Sequence, residues 1–174
     1  MRNAGQFLKL LAAQSMLLAA LATGAYAQDA EEFTQIRLTE AQVKNFLAAQ
    51  PDLVGVDERI AATGDEPAPE LEAELNALAK KHGFADFGEL NTVSANISLV
   101  LAGMNPETGE FIQPAEAFKK ELDEVKSDES IPAAEKNELI EELTEAIEST
   151  PAVKHMENVE LIKANREAIV EALE

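Results

Sequence analysis

Between Phe87 and Met104 the chain sets apolar side chains at Phe87, Leu90, Val93, Ile97, Val100, Leu101 and Met104, a spacing near 3.6 residues. The stripe widens until residues 97–102 are apolar on nearly every side. A helix of that kind has no solvent face to offer, so other elements must wrap it. The pattern therefore predicts a central helix over about 87–104. It opens at Asp86-Phe87-Gly88-Glu89, an N-terminal box, and closes at Gly103 and the turn Asn105-Pro106-Glu107-Thr108-Gly109.

The rest of the chain supplies helices to do the wrapping. In Leu38-Thr39-Glu40-Ala41-Gln42-Val43, Thr39 reads as the N-cap, Gln42 reaches back to it, and Leu38 staples to Val43. Val43, Phe46 and Leu47 carry that helix to Pro51, which is expected to break or kink it, and Leu53, Val56 and Ile60 continue a stripe to Gly64. Residues 64–69 read as a turn-rich linker in which Pro69 opens the next helix. That helix holds Leu71, Leu75 and Leu78 on one face and ends in Lys80-Lys81-His82-Gly83, cations over its C-terminal dipole and glycine as cap. Further helices follow from Pro114 (Phe118, Leu122 and Val125 inward), across Leu139, Ile140, Leu143 and Ile147 with an acidic outer face, and after Thr150-Pro151 across Val159, Ile162, Ile169, Val170 and Leu173. No run alternates with period two. The expected fold is all-α: a compact bundle of about six or seven mostly short helices around the central apolar helix.

The first 27 residues carry a different message. Arg2 and Lys9 precede an apolar run, residues 10–22, which leads into the small-x-small triplet Ala25-Tyr26-Ala27. That is the grammar of a cleaved signal peptide, and the run falls short of the ~20 residues that span a bilayer. Cleavage after Ala27 is expected to deliver a periplasmic protein that starts at Gln28, with residues 28–174 as a single helical domain. The absence of cysteine fits a bacterial periplasm better than a disulfide-stapled extracellular setting.

Charge then narrows the partners. Arg2 and Lys9 belong to the signal, so residues 28–174 hold 33 acidic against 12 basic side chains, a formal net of −21. Such a field repels phosphate backbones and anionic headgroups, so neither nucleic acid nor, after signal cleavage, a membrane surface is an expected partner. An unknown protein or a small cationic ligand fits the charge, though solubility alone would account for it. Beyond residue 27 there is no tryptophan or tyrosine, and the sparse phenylalanines read as core rather than as stacking platforms.

Reactive constellations are scarce. Cysteine chemistry is impossible, no G-x-S-x-G surrounds a serine, and His82 and His155 lie too far apart in the chain to form a helix-face metal pair. His82 has a helix end to serve, and His155 is expected to be solvated. The loop from Asn105 superficially resembles a calcium loop, but its glycine falls at the fifth position where an EF-hand needs the sixth. Glu141, Glu142, Glu145 and Glu148 lack the E-x-x-H partners of a di-metal bundle and read as a solvated face. No metal, cofactor or catalytic residue is expected. The candidate ligand-binding residues are Asn91, Asn96 and Ser98, small polar side chains on the predicted central helix; either Asn96 and Ser98 border a polar pocket, or Asn96 bonds the backbone of a neighbouring helix in the core.

Two resemblances follow from these segments. Leu38-Thr39-Glu40-Ala41-Gln42 matches L-T-x-x-Q and so resembles the LTxxQ family of periplasmic stress chaperones, Spy- and CpxP-like. That likeness implies an exported helical holder of unfolded clients. Residues 38–50, Ala79-Lys80-Lys81-His82-Gly83-Phe84, Ala95-Asn96-Ile97-Ser98 and Ser130-Ile131-Pro132 are similar to segments of small exported helical proteins of Gram-negative bacteria, a likeness that brings no activity. The leading expectation is a soluble, non-catalytic periplasmic domain acting by protein or small-ligand interaction. A chaperone-like holder is the alternative, and an enzyme with a small polar site near Asn96 the second.

Overall fold

The computed structural model of the chain describes residues 34–63, 69–105 and 108–173. The signal peptide expected over residues 1–27, its cleavage point, and the linker residues 64–68 lie outside the described residues. Among the described residues there are six helices: α1 Glu40–Thr63, α2 Pro69–Lys81, α3 Phe87–Ala102, α4 Pro114–Ser127, α5 Ala133–Ser149 and α6 Met156–Leu173. The all-α expectation holds, and α3 is central: it packs against α1, α2, α4 and α6. None of the described helices is long and apolar enough to cross a membrane.

Local chemistry explains where the helices start and stop. At the head of α1 the Gln42 N–H donates to Thr39 Oγ1 at 3.2 Å while the Thr39 N–H donates to Gln42 Oε1 at 3.0 Å, a complete capping box. The end of α2 is a Schellman motif: Phe84 N–H bonds Ala79 O at 3.0 Å and Gly83 N–H bonds Lys80 O at 3.1 Å, with Gly83 at φ +83°. Phe84 and Ala79 are both buried at that turn. Asp86 caps α3 through Glu89 N–H at 2.9 Å, and Asn76 of α2 adds a second acceptor for Phe87 N–H at 3.0 Å.

Of the two outcomes expected at Pro51, the break does not occur: α1 is one helix of 24 residues with the proline inside it. The ring lies on the solvent side, where water can serve the carbonyl that lacks an N–H partner. Phe46 and Ala49 before it and Val56 after it are all buried, so packing on both sides offsets a local cost of about 3 kcal/mol.

After α3 the chain turns back through a short antiparallel bridge between Met104 and Phe111. Ile112 N–H bonds Gly103 O at 2.9 Å, so the two backbones nearly touch there. A Cβ at position 103 would lie 2.2 Å from Ile112 O, which is why glycine occupies it. Asn105 closes the intervening loop by accepting Thr108 N–H at 2.9 Å through its side chain and Gly109 N–H at 2.8 Å through its carbonyl.

The apolar side chains form one main core and two satellites. The main core gathers Val43, Phe46, Leu90, Val93, Ile97, Val100, Ile162 and Ile169 from α1, α3 and α6. Val56, Leu71 and Leu75 join α1 to α2. Phe118, Val125 and Leu143 form a small core within the α4–α5 hairpin, onto which Ala102 of α3 packs. Among the described residues the backbone of α5 runs close to that of α4 and of no other helix, so this hairpin stands to one side of the main bundle.

Candidate functional site

The polar residues nearest the core serve a backbone that has no strand to pair with. Residues 34–39 run without helix ahead of α1, and Ile36 and Leu38 turn inward onto the main core while Arg37 points to solvent. Backbone groups on such a segment need partners other than water. Asn96 of α3 meets the first set: its Oδ1 accepts Ile36 N–H at 3.0 Å, and its Nδ2 donates to Thr34 O at 3.0 Å and to Thr92 O at 2.8 Å. Asn158 of α6 meets the second: its Oδ1 accepts Leu38 N–H at 2.9 Å and its Nδ2 donates to Ile36 O at 2.8 Å. Two side-chain amides thus imitate a neighbouring strand, and they are only 2 % and 3 % exposed.

A parallel arrangement holds the connection into α6. Gln35 Nε2 donates to Ala152 O at 2.9 Å and Gln35 Oε1 accepts Lys154 N–H at 2.8 Å. From the other side Gln113, the residue before α4, accepts Val153 N–H on Oε1 at 2.8 Å. His155 Nε2 lies 3.2 Å from Gln35 O; a carbonyl only accepts, so that nitrogen carries the proton. Arg37 Nε and Glu157 Oε1, 2.6 Å apart, add an exposed ion pair over the same junction. His155 is therefore half-buried against the docked segment, not free in solvent as its place in the sequence suggests.

Of the three candidate ligand-binding residues, Asn96 lies in the core with its amide committed to backbone. Asn91 and Ser98 are half-buried and sit seven positions apart on one flank of α3. At 100° per residue Asn96 lies about 140° or more around the helix from both. The helix brings Asn91 and Ser98 together and leaves Asn96 elsewhere. Among the described residues no group of three or more His, Asp or Glu side chains could hold a metal ion, and no buried side-chain nitrogen or oxygen lacks a partner. The L-T-x-x-Q residues are used in the α1 cap, with Gln42 Nε2 reaching Glu89 Oε1 at 3.3 Å.

Asn158, Gln35, Gln113 and Asp52 escape sequence reasoning. Asn158 had a signal: it falls on the stripe of Ile162 and Ile169, four and eleven residues on, where an isolated polar side chain needs a buried partner. Asp52 had none, since its partners come from another helix. Its Oδ2 lies 2.6 Å from both Lys81 Nζ and His82 Nε2, joining α1 to the end of α2. Hydrogen bonds from Lys81 and then His82 hold this carboxyl below its ordinary range.

Charge is least compensated on the α4–α5 hairpin. Glu135, Glu138, Glu141, Glu142, Glu145 and Glu148 of α5 are all exposed, and none is ion-paired among the described residues. On α4, half-buried Glu121 has its pKa raised, first by burial and then by the neighbouring Glu124. Comparison with protein families, with curated proteins and with solved structures finds no match to this chain.

Two predictions follow from these contacts. Asn158→Leu leaves Leu38 N–H and Ile36 O buried without partners and should cost about 2–4 kcal/mol in urea unfolding, with Asn96→Leu similar. Hydrogen exchange should show the Ile36 and Leu38 amides losing protection first; unchanged stability and protection in both variants would remove the clamp. Glu121→Gln concerns pH. Because the folded carboxyl holds its proton more tightly than the unfolded one, ionised Glu121 weakens the fold above its folded pKa, and that penalty fades as pH falls below the ordinary range. The variant should melt higher than the parent at neutral pH, and the gain should vanish near pH 4 in thermal scans.

Proposed function

We propose that the chain is an exported, non-catalytic periplasmic domain that acts by binding a cationic protein segment or small cationic ligand on its acidic hairpin. The observation that carries this reading is α5, a helix held mainly by α4 that turns to solvent six carboxylates with no ion pair among the described residues. Glu138, Glu141, Glu142, Glu145 and Glu148 recur at spacings of three and four. Like charges so spaced repel along a helix by a few tenths of a kcal/mol per pair. A cation bound across them relieves that repulsion, so the cost carried by the free protein becomes part of the driving force. The commitment of Asn96 and Asn158 to backbone supports the non-catalytic half of the reading, since among the described residues no buried side-chain nitrogen or oxygen is without a partner.

The export half rests on residues 1–27 and has its own test. Mass spectrometry of the protein recovered from a Gram-negative host should find Gln28 at its N-terminus, and an intact Met1 on the accumulated product would overturn the periplasmic assignment. For the binding half, thermal shifts should be recorded with spermidine, magnesium and a lysine-rich peptide at two ionic strengths. Stabilisation should grow with probe concentration, weaken with salt, and disappear when Glu141, Glu142, Glu145 and Glu148 are changed to glutamine. That variant should itself be at least as stable as the parent. No shift with any probe at millimolar concentration removes the reading.

A further inference from the structure

Oxidisable side chains are few in this chain. It has no cysteine and no tryptophan, and beyond residue 27 its only sulfur atoms are those of Met104 and Met156. The fold treats the two in opposite ways. Met104 is 7 % exposed within the main core, whereas Met156, at the start of α6, is 49 % exposed, the one large apolar side chain in the open among the described residues. Thioether oxidation follows access to the sulfur, so the two sites must differ in rate.

Met156 also has a neighbour suited to its oxidised form. Gln113 Nε2 lies 4.0 Å from Met156 Sδ and 3.4 Å from Val153 O, while Gln113 Oε1 accepts Val153 N–H at 2.8 Å. A thioether is a weak acceptor and a sulfoxide oxygen a strong one. We propose that Met156 is a reversible oxidation site of this protein, with the Gln113 side-chain amide as the hydrogen-bond donor to the sulfoxide oxygen. The oxidant class is a two-electron peroxide. The sulfur lone pair attacks one peroxide oxygen, the O–O bond breaks, the S–O bond forms, and the displaced oxygen leaves as water after proton transfer. Sulfur is oxidised by two electrons and the peroxide reduced by two. The long bond from Nε2 to Val153 O is the contact that yields to the new oxygen, while the shorter bond at Oε1 keeps residues 152–155 in place. Oxidation therefore marks the surface without opening the core, which oxidation of Met104 could not do.

Limiting hydrogen peroxide on the purified chain, followed by peptide mapping, tests the site. One oxygen, about 16 Da, should appear at Met156 about tenfold faster or more than at Met104, with helical circular dichroism retained and the mass restored by methionine sulfoxide reductase. Met156→Leu should show no fast phase. Equal rates at the two methionines, or loss of helix with the first oxygen, overturn the site. The partner is read separately by NMR of the folded parent protein: the Gln113 side-chain amide resonances should shift on oxidation, and resonances that stay in place overturn its assignment as donor.

Discussion

Residues 34–38 form an extended stretch laid on a helical core, and nothing in an all-helical protein offers it a ladder of hydrogen bonds. The orphaned groups are Thr34 O, Ile36 N–H, Ile36 O and Leu38 N–H, and each would cost about 1–3 kcal/mol if buried unpaired. Asn96 and Asn158 take all four. The match depends on spacing. Thr34, Ile36 and Leu38 present their backbone groups at every second residue, and two asparagines from different helices meet them in turn. With the backbone satisfied, Ile36 and Leu38 can turn inward, and the chain enters α1 at the position where Thr39 can cap it.

The same contacts decide how the helices come together. Asn96 lies 60 residues from Ile36 and Asn158 lies 120 from Leu38, so the clamp forms only when α1, α3 and α6 are all in place. Gln35 adds a bond across 119 residues to the connection ahead of α6. These bonds add to the apolar packing that already joins α1, α3 and α6 across the chain. Being long-range, they add to the cooperativity of the main core, because the full set is made only when α3 and α6 both meet the segment ahead of α1. They also fix orientation. Apolar faces slide against one another at small cost, whereas a bidentate amide has one register.

What the sequence made legible follows the range of the interaction. The cap at Thr39 and Gln42, the stop at Gly83 and Phe84, and the starts at Pro69, Asp86 and Pro114 are all decided within four residues, and each lies where its residues place it. The apolar width of residues 97–102 announced a central helix, and α3 meets four of the other five. At Pro51 the sequence allows a break, and the structure removes it because the ring lies on the side of α1 that meets solvent. Asn96 stood out as a polar residue in an apolar helix, but its partner, a non-helical stretch some 60 residues earlier, has no pattern of its own. Asn158 and the glutamines Gln35 and Gln113 are harder still, since an amide in a half-polar segment carries no mark of what it will hold.

The distribution of charge completes the physical picture. In the main bundle the buried amides are matched to backbone, Asp52 to Lys81 and His82, and Arg37 to Glu157. Negative charge is most concentrated on the hairpin, where a small core of Phe118, Val125 and Leu143 holds α4 to α5, whose outer face is dominated by carboxylates. Its stability is set by that core and the turn at Asp128, which accepts Ser130 N–H at 2.8 Å, working against repulsion along α5. Moving those carboxylates onto the bundle would set them against a core held by contacts over long stretches of chain, where their repulsion would act on the whole fold. Concentrated on a hairpin attached mainly through α4, the repulsion stays local. The long-range contacts of the bundle are then spared that repulsion, which salt screens at the exposed face of α5.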